Sequence, residues 1–218
     1  MIETLMQAVP PGEVLLAYTV ACAVLFLTPG PDMSLFLAKT LSGGRASGIA
    51  AMAGAATGCL VHTMLAVLGL SAVIAASPNA FYALKVVGAL YLLWLAIDAI
   101  RNGSVLTVQG QVRRSSHLKS YLTGVGINLT NPKIVLFFVT FLPQFISAGD
   151  PQAPQKLLFL GLYFVVFSFP LATALILVAD RFIAFVRENP KALRALDFGF
   201  AGIFGLFAVK ILATDAPR

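Results

Sequence analysis

The chain has 218 residues, of which 59% are hydrophobic and only 11% charged, and its mean hydropathy is +0.90. Ordinary soluble domains carry about 25% charged residues, so this chain lacks the polar surface of a water-soluble globule and is built for lipid. Its formal charge of +6 does not make it a nucleic-acid binder, because the lysines and arginines lie between apolar runs and form no continuous patch.

The first residues, MIETLMQAVPPGE, are acidic and lack the basic n-region and small-residue cleavage site of a signal peptide, so no cleavage is expected. A helix needs about 20 mostly apolar residues to cross the hydrocarbon core. Six stretches qualify: Val14–Leu41, Gly48–Ala76, Ala80–Ile100, Tyr121–Ile146, Leu157–Ala179 and Pro190–Ala213. The last has its apolar part only from about Leu196, but Asn189-Pro190 reads as an N-cap followed by proline at the first helical position. The predicted fold class is therefore an all-α membrane protein with six transmembrane helices.

A single long polar connection, RNGSVLTVQGQVRRSSHLKS, separates spans three and four. It divides the chain into a first three-helix repeat over residues 1–100, a basic linker over 101–119 and a second three-helix repeat over 120–218. Ser77-Pro78-Asn79 and Ser147–Gln155 read as shorter turns. If six spans alternate, Lys39, Arg45, Arg101, Arg113, Arg114, Lys119, Arg181, Arg187, Lys191 and Arg194 all fall on one side of the membrane. Only Lys85, Lys156, Lys210 and Arg218 fall on the other. The positive-inside rule makes the rich side cytoplasmic and places both termini outside.

The first span is broken in its middle by TPGPD, Thr28 to Asp32. Proline removes an N–H and clashes with the preceding turn, while glycine accepts unusual dihedrals. A helix interrupted there frees backbone groups that must be buried in protein or face a watery cavity. The fourth span repeats the device with NLTNPK, Asn128 to Lys133. Aligning Pro31 with Pro132 pairs Asp32 with Lys133, Leu35 with Leu136 and Phe36 with Phe137. Each half has an odd number of spans, so the second is expected to be inverted relative to the first. Paired interrupted helices in inverted repeats point to a transporter site near the midplane. A kink alone would not explain a charge at each break, since a central Asp or Lys costs roughly 2.5–3.5 kcal/mol on insertion scales.

At these residues the chain resembles the LysE/RhtB-type amino-acid exporters of bacterial inner membranes. The likeness rests on TPGPD and NLTNPK, and extends through GGRASGIAAMAGAATG (Gly43–Gly58) and KVVGALYLLWLAIDAIR (Lys85–Arg101). It covers nearly the whole chain and is weakest in the central loop and last span. The resemblance implies export of amino acids or close derivatives, with proton exchange rather than ATP as the driving force, and no enzymatic activity. A channel or metal-cation exporter is the rival reading, opposed by the scarcity of hard ligands in the spans.

The two breaks are expected to meet in one site. Thr28, Pro29, Gly30, Pro31 and Asp32 would come from the first, and Asn128, Thr130, Asn131, Pro132 and Lys133 from the second. Half-helix N-termini and Lys133 suit a carboxylate, and Asp32 suits an ammonium group or a coupling proton. Direct pairing of Asp32 with Lys133 as a structural bridge is the alternative. His62, in the middle of span two, is a candidate proton relay set against a plain interhelical hydrogen bond. Pro170 reads as a kink in span five.

Cys22 and Cys59 lack the spacing of a metal site or disulfide framework, and no cofactor motif is found. Gly54 and Gly58, and the row Gly199, Gly202 and Gly205, would let helices approach closely. Those faces fit contacts within one chain or a homodimer equally.

Overall fold

The structure is a computed structural model that describes residues 9–103, 115–147 and 149–213. Most of the linker expected over 101–119, and both chain ends, lie outside the described residues.

The first predicted span forms two helices, α1 (Gly12–Leu27) and α2 (Pro31–Gly43), bent by 52° where Thr28 to Gly30 intervene. Thr28 is extended, Gly30 is also extended, and Pro31 opens α2 at its first position. Proline is tolerated there because its missing N–H would have no intrahelical partner. The second span begins at α3 (Arg45–Leu65), passes through a π turn (Ala66–Leu70) and ends with Ser71–Ala76. Ser77 then accepts the Ala80 N–H and caps α4 (Pro78–Asn102), so the expected turn leads directly into a helix start.

The fourth span repeats the break. α5 (His117–Thr130) and α6 (Pro132–Leu136) meet at Asn131, and the two arms of the span are bent by 53°. α6 continues through a π turn (Phe137–Phe141) and a 3₁₀ turn (Leu142–Phe145). The loop that follows is held by Asp150, whose carboxylate accepts from Lys156 Nζ at 2.6 Å. Burial alone would raise this carboxyl, but the Lys156 bond and the Gln152 amide outweigh it and hold it below the usual range.

α7 (Ala153–Leu177) runs on through Pro170. A separate helix α8 (Ala179–Glu188) and then α9 (Pro190–Leu212) complete the chain. Between them stands Asn189 with its side-chain amide. That group donates back to the Phe185 carbonyl, while the Asn189 main-chain carbonyl accepts from Ala192. The amide thus closes the end of α8. Four helical stretches are long and apolar enough to cross a membrane, and counting each bent pair as one span brings the total to six.

Packing follows the small residues. A Cβ on Gly54 would overlap the Tyr121 carbonyl, one on Gly124 the Ala51 carbonyl, and one on Gly58 the Asn128 side chain. Glycines on both helices thus bring α3 and α5 into backbone contact. The Gly54/Gly58 face is therefore used within the chain. Gly199, Gly202 and Gly205 have nothing within 4 Å among the described residues.

Tyr18, Phe137, Phe138, Phe141, Phe164 and Phe204 form the centre of the largest apolar cluster. Leu16, Val166 and Leu206 instead face outward at 66–72% exposure. An apolar exterior around buried Asn128, Asn131 and His62 is the arrangement a lipid solvent favours. The chain is a multi-pass membrane protein.

Candidate functional site

The two breaks come together. Asn128, in the last turn of α5, donates from Nδ2 to Asp32 Oδ2 at 2.8 Å, and Asn131 Nδ2 donates to the same oxygen at 3.1 Å. Lys133 reaches across in the opposite direction, its Nζ donating to the Thr28 main-chain carbonyl. That carbonyl lies just past the end of α1, where the break leaves acceptors without helical partners. The lysine therefore sits at a helix C-terminal end and Asp32 in the first turn of α2, each where the helix dipole favours its charge.

Asp32 and Lys133 do not form an ion pair. Among the described residues that geometry is met by Asp150 with Lys156. Asp32 spends one carboxylate oxygen on the two asparagines, and Oδ1 is buried without a hydrogen-bond partner. A buried carboxylate oxygen left in this way is costly.

Both charges line one cavity of about 680 Å³, its open mouth included, together with Thr28, Gly30, Asn128 and Asn131. Most of the rest of the wall is apolar and comes from α1, α2, α3, α6 and α7, with Phe26, Phe36, Met52, Phe164 and Phe169 among its largest side chains. Each of the two breaks supplies one of the charges.

The ten residues of the two motifs do not all take part. Pro29 is buried but does not line the cavity, and Pro31 and Pro132 are exposed. They shape the breaks. Thr130 is exposed and returns its hydroxyl to the Gly126 carbonyl at 2.9 Å, away from the cavity. Asn131 has two tasks, since its Oδ1 also accepts the Lys133 N–H at 3.1 Å and caps α6. No side chain caps α2.

His62 stands behind the site. It stacks on Phe138 with centroids 5.6 Å apart, and its Nε2 lies 3.4 Å from the Asn128 carbonyl oxygen. Cys59 Sγ donates to Asn128 Oδ1 at 3.6 Å. Asn128 thus joins α3, α5 and Asp32 in one network. Cys59 and Ser168 line the cavity although no motif marks them. Each is a single polar atom in an apolar run, a signal that gains meaning only when the helix rotation is known.

The family model for LysE type translocators matches residues 23–215. The chain belongs to this family. Its relatives in the LysE-type family include a homoserine/homoserine lactone efflux protein of Salmonella typhimurium, 31% identical over 190 residues that cover 87% of this chain and 91% of the relative. A leucine efflux protein of Klebsiella pneumoniae is also 31% identical, over 90% of this chain and 93% of the relative. No solved structure matches this LysE-type chain significantly.

Proposed function

We propose that the protein is a secondary active exporter of amino acids or close derivatives across the bacterial inner membrane, driven by proton exchange. The observation that carries this reading is the cavity between the breaks, where an unpartnered carboxylate oxygen and a lysine ammonium share a largely apolar chamber. A zwitterion offers the complementary charges, its ammonium to Asp32 Oδ1 and its carboxylate to Lys133. The names of the efflux relatives support the substrate class.

In this reading residues 1–100 and 120–218 are inverted repeats joined by a cytoplasmic linker at 101–119, and both termini face the periplasm. The similar bends of the two broken spans support that arrangement. Alternating access then rocks one half against the other around the paired breaks. Thr28, Gly30, Asp32, Asn128, Asn131 and Lys133 hold substrate or coupling proton. Pro29, Pro31, Thr130 and Pro132 set the backbone. His62, whose Nε2 lies 3.4 Å from the Asn128 carbonyl oxygen, is the candidate proton relay beside the site.

Cells preloaded with single amino acids test the proposal. Expression should speed the efflux of at least one of them and slow on dissipation of the proton gradient. Unchanged retention of every amino acid, together with rescue from metal toxicity, would replace it with the cation-exporter reading.

A further inference from the structure

The short helix α8 takes no part in the site, yet it lies against α2, the helix that carries Asp32. It is bounded by two residues outside helical geometry, Val178 (φ −110°, ψ 19°) and Asn189 (φ −126°, ψ 66°). Its Ala179, Phe182 and Ile183 pack with Met33 and Leu37 of α2 and Leu175 of α7. Met33 also lines the cavity. Arg181 and Phe185 of the same helix are exposed, as in a helix lying along a membrane surface.

Contacts at the two ends of the central linker fix the place of α8. Lys39 Nζ, on α2, donates to Ser115 Oγ at 2.9 Å, and Arg194 Nη1 donates to the Ala99 carbonyl at 3.1 Å. Arg45, the first residue of α3, donates from Nη2 to the carbonyl of Leu177, the last residue of α7, at 3.1 Å. The helix that follows Leu177 therefore stands at the linker end of the bundle.

An apolar layer lies between that end and the cavity. Ala172 lines the cavity, and beyond it Leu35, Leu37, Leu175, Ile176 and Ala179 are buried against one another in two adjoining clusters. The rise from Ala172 to Leu177 alone is about 7.5 Å. A zwitterion crossing such a layer would lose its hydration, so the layer must part. A Cβ on Gly48 would overlap Thr40, and one on Gly54 the Tyr121 carbonyl. Small residues thus close α2, α3 and α5 on one another. α8 instead meets α2 through the side chains of Phe182 and Ile183, between two non-helical joints. That seam is the one built to separate.

We propose that α8 is the gate of the substrate pathway at the linker end, with Phe182 and Ile183 as its seal and Arg45 as its latch. This rests on the exporter reading above, in which that end is cytoplasmic. In opening, Arg45 releases the Leu177 carbonyl and α8 swings about Val178 and Asn189. Met33 and Leu37 are then uncovered, and an amino acid gains a path to Asp32 and Lys133. Arg45 suits a latch, because the dipole at the end of α7 favours a cation while an exposed contact is readily broken.

Cys59 lines the cavity and reports its opening, since modification of a buried thiol tracks the open population when reclosing outpaces the reaction. Vesicles of either orientation containing the full chain are treated with a charged, membrane-impermeant methanethiosulfonate, and Cys59 modification is read by mass spectrometry. His117→Cys, at an exposed position beside the linker, marks the linker face. Phe182→Ala should raise the Cys59 rate from that face roughly tenfold, and Arg45→Gln roughly threefold. The rate from the opposite face should stay unchanged, and the outward-facing control Leu206→Ala should alter neither. An equal rise from both faces would reveal general loosening and overturn the gate. So would no rise from the linker face in either variant. In both cases efflux of a preloaded amino acid by the wild type would leave the exporter standing. A wild type that exports no amino acid overturns the exporter reading itself, and the role of α8 with it.

Discussion

The two broken spans share a geometry and differ in chemistry. Their bends are 52° and 53°, and each restarts on a proline. After the first break the chain resumes as the regular 13-residue helix α2, with no side-chain cap and an acid in its first turn. After the second, α6 lasts 5 residues before π and 3₁₀ turns take over, and Asn131 caps its start. The first break therefore contributes a carboxylate and an open helix end. The second contributes the amides that hold that carboxylate and the cation that fills the first break's free carbonyl. A repeated backbone device has become two complementary parts of one cavity wall.

Removing the charges should show the largest effect. Asp32→Asn and Lys133→Met should each lower efflux by roughly a hundredfold, the range expected when a charged hydrogen bond is lost. The double exchange of Asp32→Lys with Lys133→Asp should not recover it, because each charge answers a different helix end and substrate group. Normal transport in the exchanged protein would show that the pair is interchangeable and that the two breaks are not specialised.

A smaller effect is expected where α3 braces the second break. Gly58→Ala drives a methyl into Asn128, and such overpacking costs about 1–3 kcal/mol. The melting temperature in detergent should fall, and efflux per folded molecule should fall as well because Asn128 is displaced from Asp32. A drop in stability with unchanged efflux would mean that Asn128 serves only the fold.

The mildest pair separates capping from mere membership of the motif. Asn131→Ala loses a cap worth about 1 kcal/mol and one of two donors to Asp32, so its transport should weaken several-fold. Thr130→Val, one residue earlier, should change transport by less than about twofold, the scale of a surface substitution. Equal losses in both would indicate that the whole motif, rather than its inward-facing members, forms the site.

Much of this architecture was legible from residue order. Hydropathy marked six apolar stretches whose ends lie within a few residues of the helices observed, because lipid demands a long apolar length whatever the neighbours. The prolines marked both breaks, since a missing N–H acts locally. The Gly54/Gly58 face was visible too, but its partner was not, as small residues declare closeness and not to what.

The sequence alone determined that this is a membrane protein with two charged, proline-broken spans, and its motifs carried the family. Those properties depend on composition and on backbone chemistry within a few residues. Tertiary structure decided that Asp32 binds two asparagines rather than Lys133, that Thr130 turns away while Cys59 and Ser168 turn in, and that both charges line one cavity. Each of these depends on the rotation of one helix against another, which is set by contacts between residues such as Gly54 and Tyr121 that lie far apart in the chain.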